Sequence, residues 1–383
     1  MTRIITGDAL EVLRKMPAAS FDGVLSDPPY GLQFMGKKWD AALPSEVVWA
    51  EVLRVLKPGA PILVFGGART HHRVMCAIED AGFEIRDCLM WIYGQGFPKS
   101  LNIAQAIDKN KGLTRERYDH PRAGHTTPTF AQDEWTKANH GTRSFKAPLT
   151  TEGARWDGYG TALKPAYESI ILAMKPCEGT FAENALEHGV AGLNIDGSRI
   201  DLNGDYKCAP NGRPSQTGLG DNYDTAKANQ PDTVGRWPAN IILDAETAAL
   251  IDEQSGHLVS GNNPATRSAD KHRDVYAGWK GAQCVVHRGT DAGGASRFFY
   301  CAKASKKERG EGNTHPTVKP LKLLEYLARL ILPPNEGAKL LIPFAGSGSE
   351  MIAARRAGWK SITGIEREKA YVAIARRRLV ATA

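Results

Sequence analysis

Asp27, Pro28, Pro29 and Tyr30 stand directly behind Ser26, at the end of a short apolar stretch. Two successive prolines hold φ near about −65° and remove two N–H donors, so the surrounding carbonyls become acceptors on a stiff loop. Asp27 adds a carboxylate and Tyr30 a flat aromatic face. Taken alone, the same four residues also read as a proline turn with an incidental acid. In an open α/β sheet the ligand crevice lies off the carboxyl ends of the strands, which is where this loop falls.

A second group lies near the other end of the chain. Phe344-Ala345-Gly346-Ser347-Gly348-Ser349 links an apolar stretch to a helical one. Glycines there let backbone approach a ligand, and the following helix start offers unpaired N–H groups. The third glycine of a dinucleotide fingerprint is replaced by Met351, and Glu366 ends the next strand. An acid at that place can accept both hydroxyls of a ribose. A nucleoside cofactor without a diphosphate fits the pair, whereas a tight turn alone explains the glycines. His315-Pro316-Thr317-Val318-Lys319-Pro320 brackets polar groups between prolines ahead of an apolar helix. They suit a ligand's charged end or a rigid helix entry. Asp8 either accepts from an adenine amino group or caps the helix beginning at Ala9.

The elements that must position these residues alternate strand and helix. Strands are predicted at Arg3–Thr6, Asp22–Ser26, Pro61–Phe65 and Phe83–Tyr93, with helices at Ala9–Met16, Ser45–Leu56 and Thr70–Ala81. The last 70 residues repeat the pattern, with helices Leu321–Leu332, Ser349–Ala357 and Glu368–Leu379 and strands Lys339–Pro343 and Ser361–Ile365. That is an α/β sheet with helical crossovers. Residues 94–312 are rich in Gly, Asn, Thr and Pro. They carry strand candidates Glu168–Ala173, Ala239–Leu243 and Arg297–Ala302 and helix candidates Phe181–Glu187 and Glu246–Glu253. So long a stretch is inserted structure rather than a loop.

The net charge is +7, and the last 71 residues hold 12 basic against 5 acidic side chains. Residues 97–148 add 9 basic against 5 acidic. Two such patches fit a polyanionic partner or a solubilising surface. The six cysteines form no C-x-x-C pair, so neither a disulfide framework nor a zinc site is expected, and no metal is expected at all. With no 18-residue apolar run and no signal-like start, neither a membrane nor a secreted setting is expected, and a cytoplasmic location is.

The ordered set Asp27–Tyr30, insertion, His315–Pro320, Phe344–Gly348 and Glu366 resembles the S-adenosylmethionine-dependent DNA amino-methyltransferases. The order is that of their permuted β group, in which the catalytic half precedes the cofactor half. Gly31–Asp40, Leu163–Lys175, Gly192–Ile200, Gly235–Asp244 and Ala295–Arg309 look like its solitary phage or prophage subset. The resemblance implies a Rossmann-like methyltransferase sheet with helices on both faces, circularly permuted motif order and a large irregular target-recognition insertion. It divides the chain into 1–96 (catalytic half), 97–165 (basic, DNA-contacting insertion), 166–175 (core strand), 176–312 (target-recognition insertion) and 313–383 (cofactor half). It assigns catalysis to Asp27, Pro28, Pro29 and Tyr30. Cofactor contacts fall to Asp8, Asp27, His315, Thr317, Lys319, Phe344, Ala345, Gly346, Ser347, Gly348, Ser349 and Glu366. One departure stands out. Ile342 occupies the place before Pro-Phe where the family usually has Asp, which leaves a contact to the methionine amino group open.

The implied reaction moves a methyl group to the exocyclic N6 of adenine in double-stranded DNA, with N4 of cytosine as the alternative. Asp rather than Ser at the head of the loop favours adenine. The base must leave the stack. Tyr30 then stacks on it, Phe34 and Trp39 line the pocket, and Lys37 and Lys38 hold nearby phosphates. A homodimer is expected by analogy. Other readings are an RNA or protein amino-methyltransferase, a catalytically inactive DNA-binding relative with Ile342 as its support, and a nicotinamide dehydrogenase, which the incomplete glycine fingerprint disfavours. If Lys37 and Lys38 each neutralise a phosphate, reversing both charges flattens the log–log salt dependence of duplex binding by about 2. Anisotropy titrations at several salt concentrations measure that slope, and an unchanged slope removes both lysines from the interface.

Overall fold

The computed structural model describes residues 1–32, 42–94, 96, 100–114, 117–119, 143–145, 149–201, 235–259, 292–302 and 318–382. Phe34, Lys37, Lys38, Trp39, His315 and Thr317 lie outside the described residues. Two compact units are present, Gln95–Ala166 and the remainder.

In the larger unit, nine strands among the described residues form one sheet. They are β1 (Thr2–Thr6), β2 (Gly23–Ser26), β3 (Pro61–Gly66), β4 (Glu84–Ile92), β5 (Tyr167–Met174), β6 (Ile241–Asp244), β7 (Tyr300–Ala302), β8 (Lys339–Ile342) and β9 (Ser361–Glu366). Their order across the sheet is β1-β9-β8-β2-β3-β5-β4-β6-β7. Only β5 runs antiparallel to its neighbours, β3 and β4; the other pairs are parallel. Every residue of β2 and β3 is buried, as expected of strands covered on both faces.

The helices are α1 (Ala9–Leu13), α2 (Glu46–Val55), α3 (His71–Asp80), α4 (Phe181–His188), α5 (Ala245–Ser255), α6 (Leu321–Leu330), α7 (Ser349–Ala357) and α8 (Lys369–Ala381). Strand alternation splits the core in two. Leu25, Leu63, Phe65 and Ile170 pack with α6 and α7 through Leu323, Leu327, Met351 and Ala354. Val24, Ile62, Val64 and Ile171 pack with Leu13, Trp49, Val52, Val74 and Ile78 of α1, α2 and α3. Helices therefore cover both faces, as the resemblance implies.

The local differences have local causes. α1 ends at Leu13 rather than Met16 because the Met16 N–H turns back to the Leu13 carbonyl just before Pro17. The strand expected over Arg297–Ala302 begins only at Tyr300; Ala295–Phe298 is a 3-10 turn. Arg297 Nη1 donates to the Gly293 and Gly294 carbonyls at 2.9 and 2.8 Å, and the Ser296 N–H donates to Asp252. Those bonds close the turn. In the smaller unit, helices Ile103–Asn110 and Thr151–Arg155 start at Asn102 and Thr150 caps that the composition of the insertion obscured.

The chain leaves β8 through α7 to β9 on one side of the sheet, and leaves β2 through α2 to β3 on the other. The crevice of such a sheet opens where neighbouring strands diverge in this way, at the carboxyl ends of β2 and β8. Asp22 fastens the opposite ends of the same two strands. It is 2% exposed and accepts from Lys57 Nζ at 2.6 Å and from the Lys339 N–H at 2.7 Å. Asp22→Ala leaves the Lys339 N–H without this acceptor and is expected to cost about 2–3 kcal/mol, visible as a lowered Tm. A Tm equal to wild type would show that β2 and β8 hold register without this carboxylate.

Candidate functional site

Asp27 emerges from the fully buried end of β2 and carries its carboxylate into a four-membered polar cluster. Lys319 Nζ lies 2.8 Å from Asp27 Oδ2, 3.1 Å from the Tyr30 hydroxyl and 3.2 Å from Glu168 Oε2. The Tyr30 hydroxyl lies 2.8 Å from Asp27 Oδ1 and 3.1 Å from Glu168 Oε2, so its one proton serves two carboxylates. The lysine ammonium also sits 4.9 Å from the Phe65 ring centroid and 5.3 Å from that of Tyr30. Cation–π contacts of this kind gain strength when water is excluded.

Local sequence explains the arrangement. The Tyr30 ring packs against Gly67, where an added Cβ would come within 3.0 Å of Cδ2. Thr70 Oγ1 donates to the Tyr30 carbonyl at 2.9 Å and holds the end of the proline loop. Glu168 is the second residue of β5, so the antiparallel strand delivers it beside the end of β3. Lys319 lies just before Pro320, the residue from which α6 starts.

Electrostatics follow from burial. Burial alone would lower the lysine pKa, but Asp27 and Glu168 outweigh it and hold Lys319 above the usual lysine range. A lysine raised in this way stabilises the fold fully below its ordinary pKa, and loses that contribution only as pH rises through the raised value. Burial, then Asp27 and Glu168, push the Tyr30 phenol well up, so it remains a donor. Tyr93 is pushed up to about 12 by burial and by Glu168.

The glycine turn lies off the neighbouring strand. Gly346 and Gly348 have φ +48° and +82°, values that glycine tolerates. Glu366 Oε2 accepts from the Gly346 N–H at 2.8 Å and Oε1 from the Glu368 N–H at 2.7 Å. Each oxygen keeps a further lone pair beyond those bonds. Burial raises the Glu366 pKa, and the Glu368 and Gly346 amides oppose that rise. The Ala345 N–H donates to the Ile365 carbonyl, and Gly364 leaves room for Ala345 and Met351 against β9.

The structure thus brings Asp27, Tyr30 and Lys319 into direct contact and joins the turn to Glu366. Ser347 and Ser349 are at the turn, but their hydroxyls accept from Arg378 Nη1 of α8, both at 2.9 Å. Asp8 caps α1, its Oδ1 accepting from the Leu10 and Glu11 N–H groups at 3.0 and 3.4 Å. It also stays beside Glu366, because the Gly7 N–H donates to the Glu366 carbonyl.

Two acids were not picked out from sequence. Glu168 could have been noticed as a charge near the start of an otherwise apolar strand. Glu350, in the first turn of α7, could have been noticed as an acid among small and apolar residues. Glu350 is buried, and its pKa is pushed up to about 7 by burial and then by Asp27, against its own backbone N–H, Lys319 and Arg378.

Lys319→Met should cost about 3–5 kcal/mol, since it leaves two partly buried carboxylates without their cation. Because the acids hold Lys319 above the usual lysine range, the Tm deficit should be the same at pH 5 and pH 8 and should shrink only as pH rises above that range. A deficit that does not shrink at high pH would mean that Lys319 acts by packing alone.

A family model described as DNA methylase, the N6_N4_Mtase model, matches residues 21–377. The type II methyltransferase M2.LlaDCHI of Lactococcus lactis subsp. cremoris is 40% identical over 192 residues, covering 44% of this chain and 71% of that protein. M.HindIII of Haemophilus influenzae is 23% identical over 235 residues, 50% of this chain and 64% of that protein. M2.DpnII of Streptococcus pneumoniae is 43% identical over 77 residues, 20% of this chain and 28% of that protein. The chain therefore spans less than two thirds of the length of the last two. The family match takes in the Asp27 loop, Lys319, the glycine turn and Glu366 together, and the chain belongs to the N6/N4 family of DNA methylases.

Proposed function

We propose that the protein transfers a methyl group from S-adenosylmethionine to N6 of an adenine flipped out of duplex DNA. The observation that carries this reading is the placement of Asp27, held by Lys319 and Tyr30, and of the Gly346–Glu366 pair at the carboxyl ends of adjacent parallel strands. S-adenosylmethionine supplies an electrophilic methyl on a positively charged sulfur. The donor set suits it: a carboxylate pinned by backbone amides for ribose hydroxyls and a glycine turn with no Cβ to exclude a close ligand.

An exocyclic amine is a poor nucleophile because its lone pair is delocalised into the ring. In this reading Asp27 and the Pro28 carbonyl each accept one amino hydrogen, which localises the lone pair and aims it. Orientation and a preorganised polar site then lower the barrier to in-line transfer. The surplus proton on nitrogen passes to Asp27, the one acceptor of the pair able to hold it. Lys319, Glu168 and the Tyr30 hydroxyl restrict the Asp27 rotamer, and the Tyr30 ring offers a stacking face for the base.

Assignment to the permuted β group is supported by chain order. β2 precedes β8 by some 300 residues, yet the two are neighbours in the sheet. The phage-like subset, the homodimer and the cytoplasmic setting belong to the same proposal. Among the described residues no helix is long and apolar enough to cross a membrane.

Asp27→Ala should abolish transfer while leaving duplex binding within about tenfold, or about 1.4 kcal/mol. A methyl-transfer assay and an anisotropy titration on the same preparations test this. Transfer retained by the variant would remove Asp27 from catalysis. Nucleoside mass spectrometry of DNA from expressing cells should show N6-methyladenine; N4-methylcytosine alone would reassign the target, and neither product would support the inactive relative.

A further inference from the structure

Glu350 is a buried acid without a role in the reaction described above. It is 6% exposed, and it is the second residue of α7, immediately behind the Gly346–Gly348 turn. Among the described residues, no other side chain reaches its carboxylate with a hydrogen bond or ion pair. The nearby cations are engaged elsewhere. Lys319 serves Asp27, Tyr30 and Glu168, and Arg378 Nη1 serves the Ser347 carbonyl and the Ser347 and Ser349 hydroxyls. A buried carboxylate in that position is costly unless a cation or strong donor arrives with a ligand.

The neighbourhood as a whole is anionic. Asp27 on the loop after β2, Glu168 on β5, Glu350 on α7 and Glu366 at the end of β9 stand against Lys319 and Arg378, four carboxylates to two cations. Ile342, which ends β8 beside this turn, is fully buried among apolar residues, so that strand contributes no acid.

We propose that Glu350 binds the α-ammonium group of the methionine part of the methyl donor, an assignment that rests on reading this crevice as the S-adenosylmethionine site. The ammonium is the better partner of the donor's two positive groups, because a carboxylate needs N–H donors and a sulfonium has none. The sulfonium must also face the base amine at Asp27, which leaves the amino-acid end for α7. Glu350 thereby fills the place that Ile342 leaves open.

The test is a calorimetric titration of wild type and Glu350→Gln with three ligands. S-adenosylmethionine carries both positive groups, S-adenosylhomocysteine keeps the ammonium but not the sulfonium, and methylthioadenosine has neither. The variant should bind the first two about 10- to 100-fold more weakly, the range of a charge-assisted hydrogen bond, and the third as wild type does. Its ligand-free Tm should equal or exceed that of wild type, because an uncompensated buried charge has gone. Glu350→Asp should recover part of the S-adenosylhomocysteine affinity.

At pH near 7 the wild type should release a proton on binding either ammonium ligand, read from the dependence of enthalpy on buffer, since a cation lowers a pKa of about 7. The variant should not. A loss confined to S-adenosylmethionine would assign the sulfonium instead and overturn the proposal. So would a loss that includes methylthioadenosine, or a lowered Tm, either of which marks a structural role. Wild type binding all three with the variant matching it overturns the Glu350 assignment alone. Wild type binding none of them removes the cofactor reading and this assignment together.

Discussion

One buried ammonium organises the reactive end of this sheet. Lys319 joins residues 27 and 30 from the first part of the chain, residue 168 from the middle and itself from the last part. Three separate stretches therefore meet at a single nitrogen. Such a cluster is expensive to desolvate, and each member pays its way only while the others are present. The loop, the antiparallel strand β5 and the entry to α6 are consequently coupled, and displacement of any one leaves an uncompensated charge. The two rings beside the ammonium, Tyr30 and Phe65, close part of its surroundings to water.

The sheet explains why this meeting is possible. β2 and β8 are parallel neighbours whose crossovers depart in opposite directions, which is where the crevice of such a sheet falls, at their carboxyl ends. Asp22 ties the far ends together, and apolar alternation along β2 and β3 anchors helices to both faces. The polar cluster hence sits at strand ends anchored by buried packing on both faces, which suits the alignment that the proposed transfer would need. Glu366 follows the same logic. Two backbone amides fix its carboxylate before any ligand arrives.

Acidic groups outnumber basic ones at this crevice although the chain carries a net charge of +7. Excess positive charge suits a polyanion approaching from outside, whereas an anionic crevice suits a cationic small molecule held within.

Much of the α/β core was legible from residue order alone. Continuous apolar runs such as Pro61–Phe65, bounded by Pro, Gly and helix caps, have few alternatives to buried strands, and the Asp27 loop, the glycine turn and Glu366 announce themselves by residue type at strand ends. The boundaries near Met16 and Arg297 were not legible, because turns closed by a few specific hydrogen bonds leave no periodicity. Nor were Glu168 and Glu350, each an ordinary acid in its own segment. Asp8 and Ser349 show the same limit from the other side. Their residue types suit a ligand, but whether a carboxylate is spent on a helix cap one turn along or a hydroxyl on Arg378, 29 residues away on another helix, depends on how the chain folds. Local residue chemistry determined which groups are able to react; long-range strand pairing decided which of them share a desolvated space, because burial and charge pairing are properties of the assembled sheet and not of any segment within it.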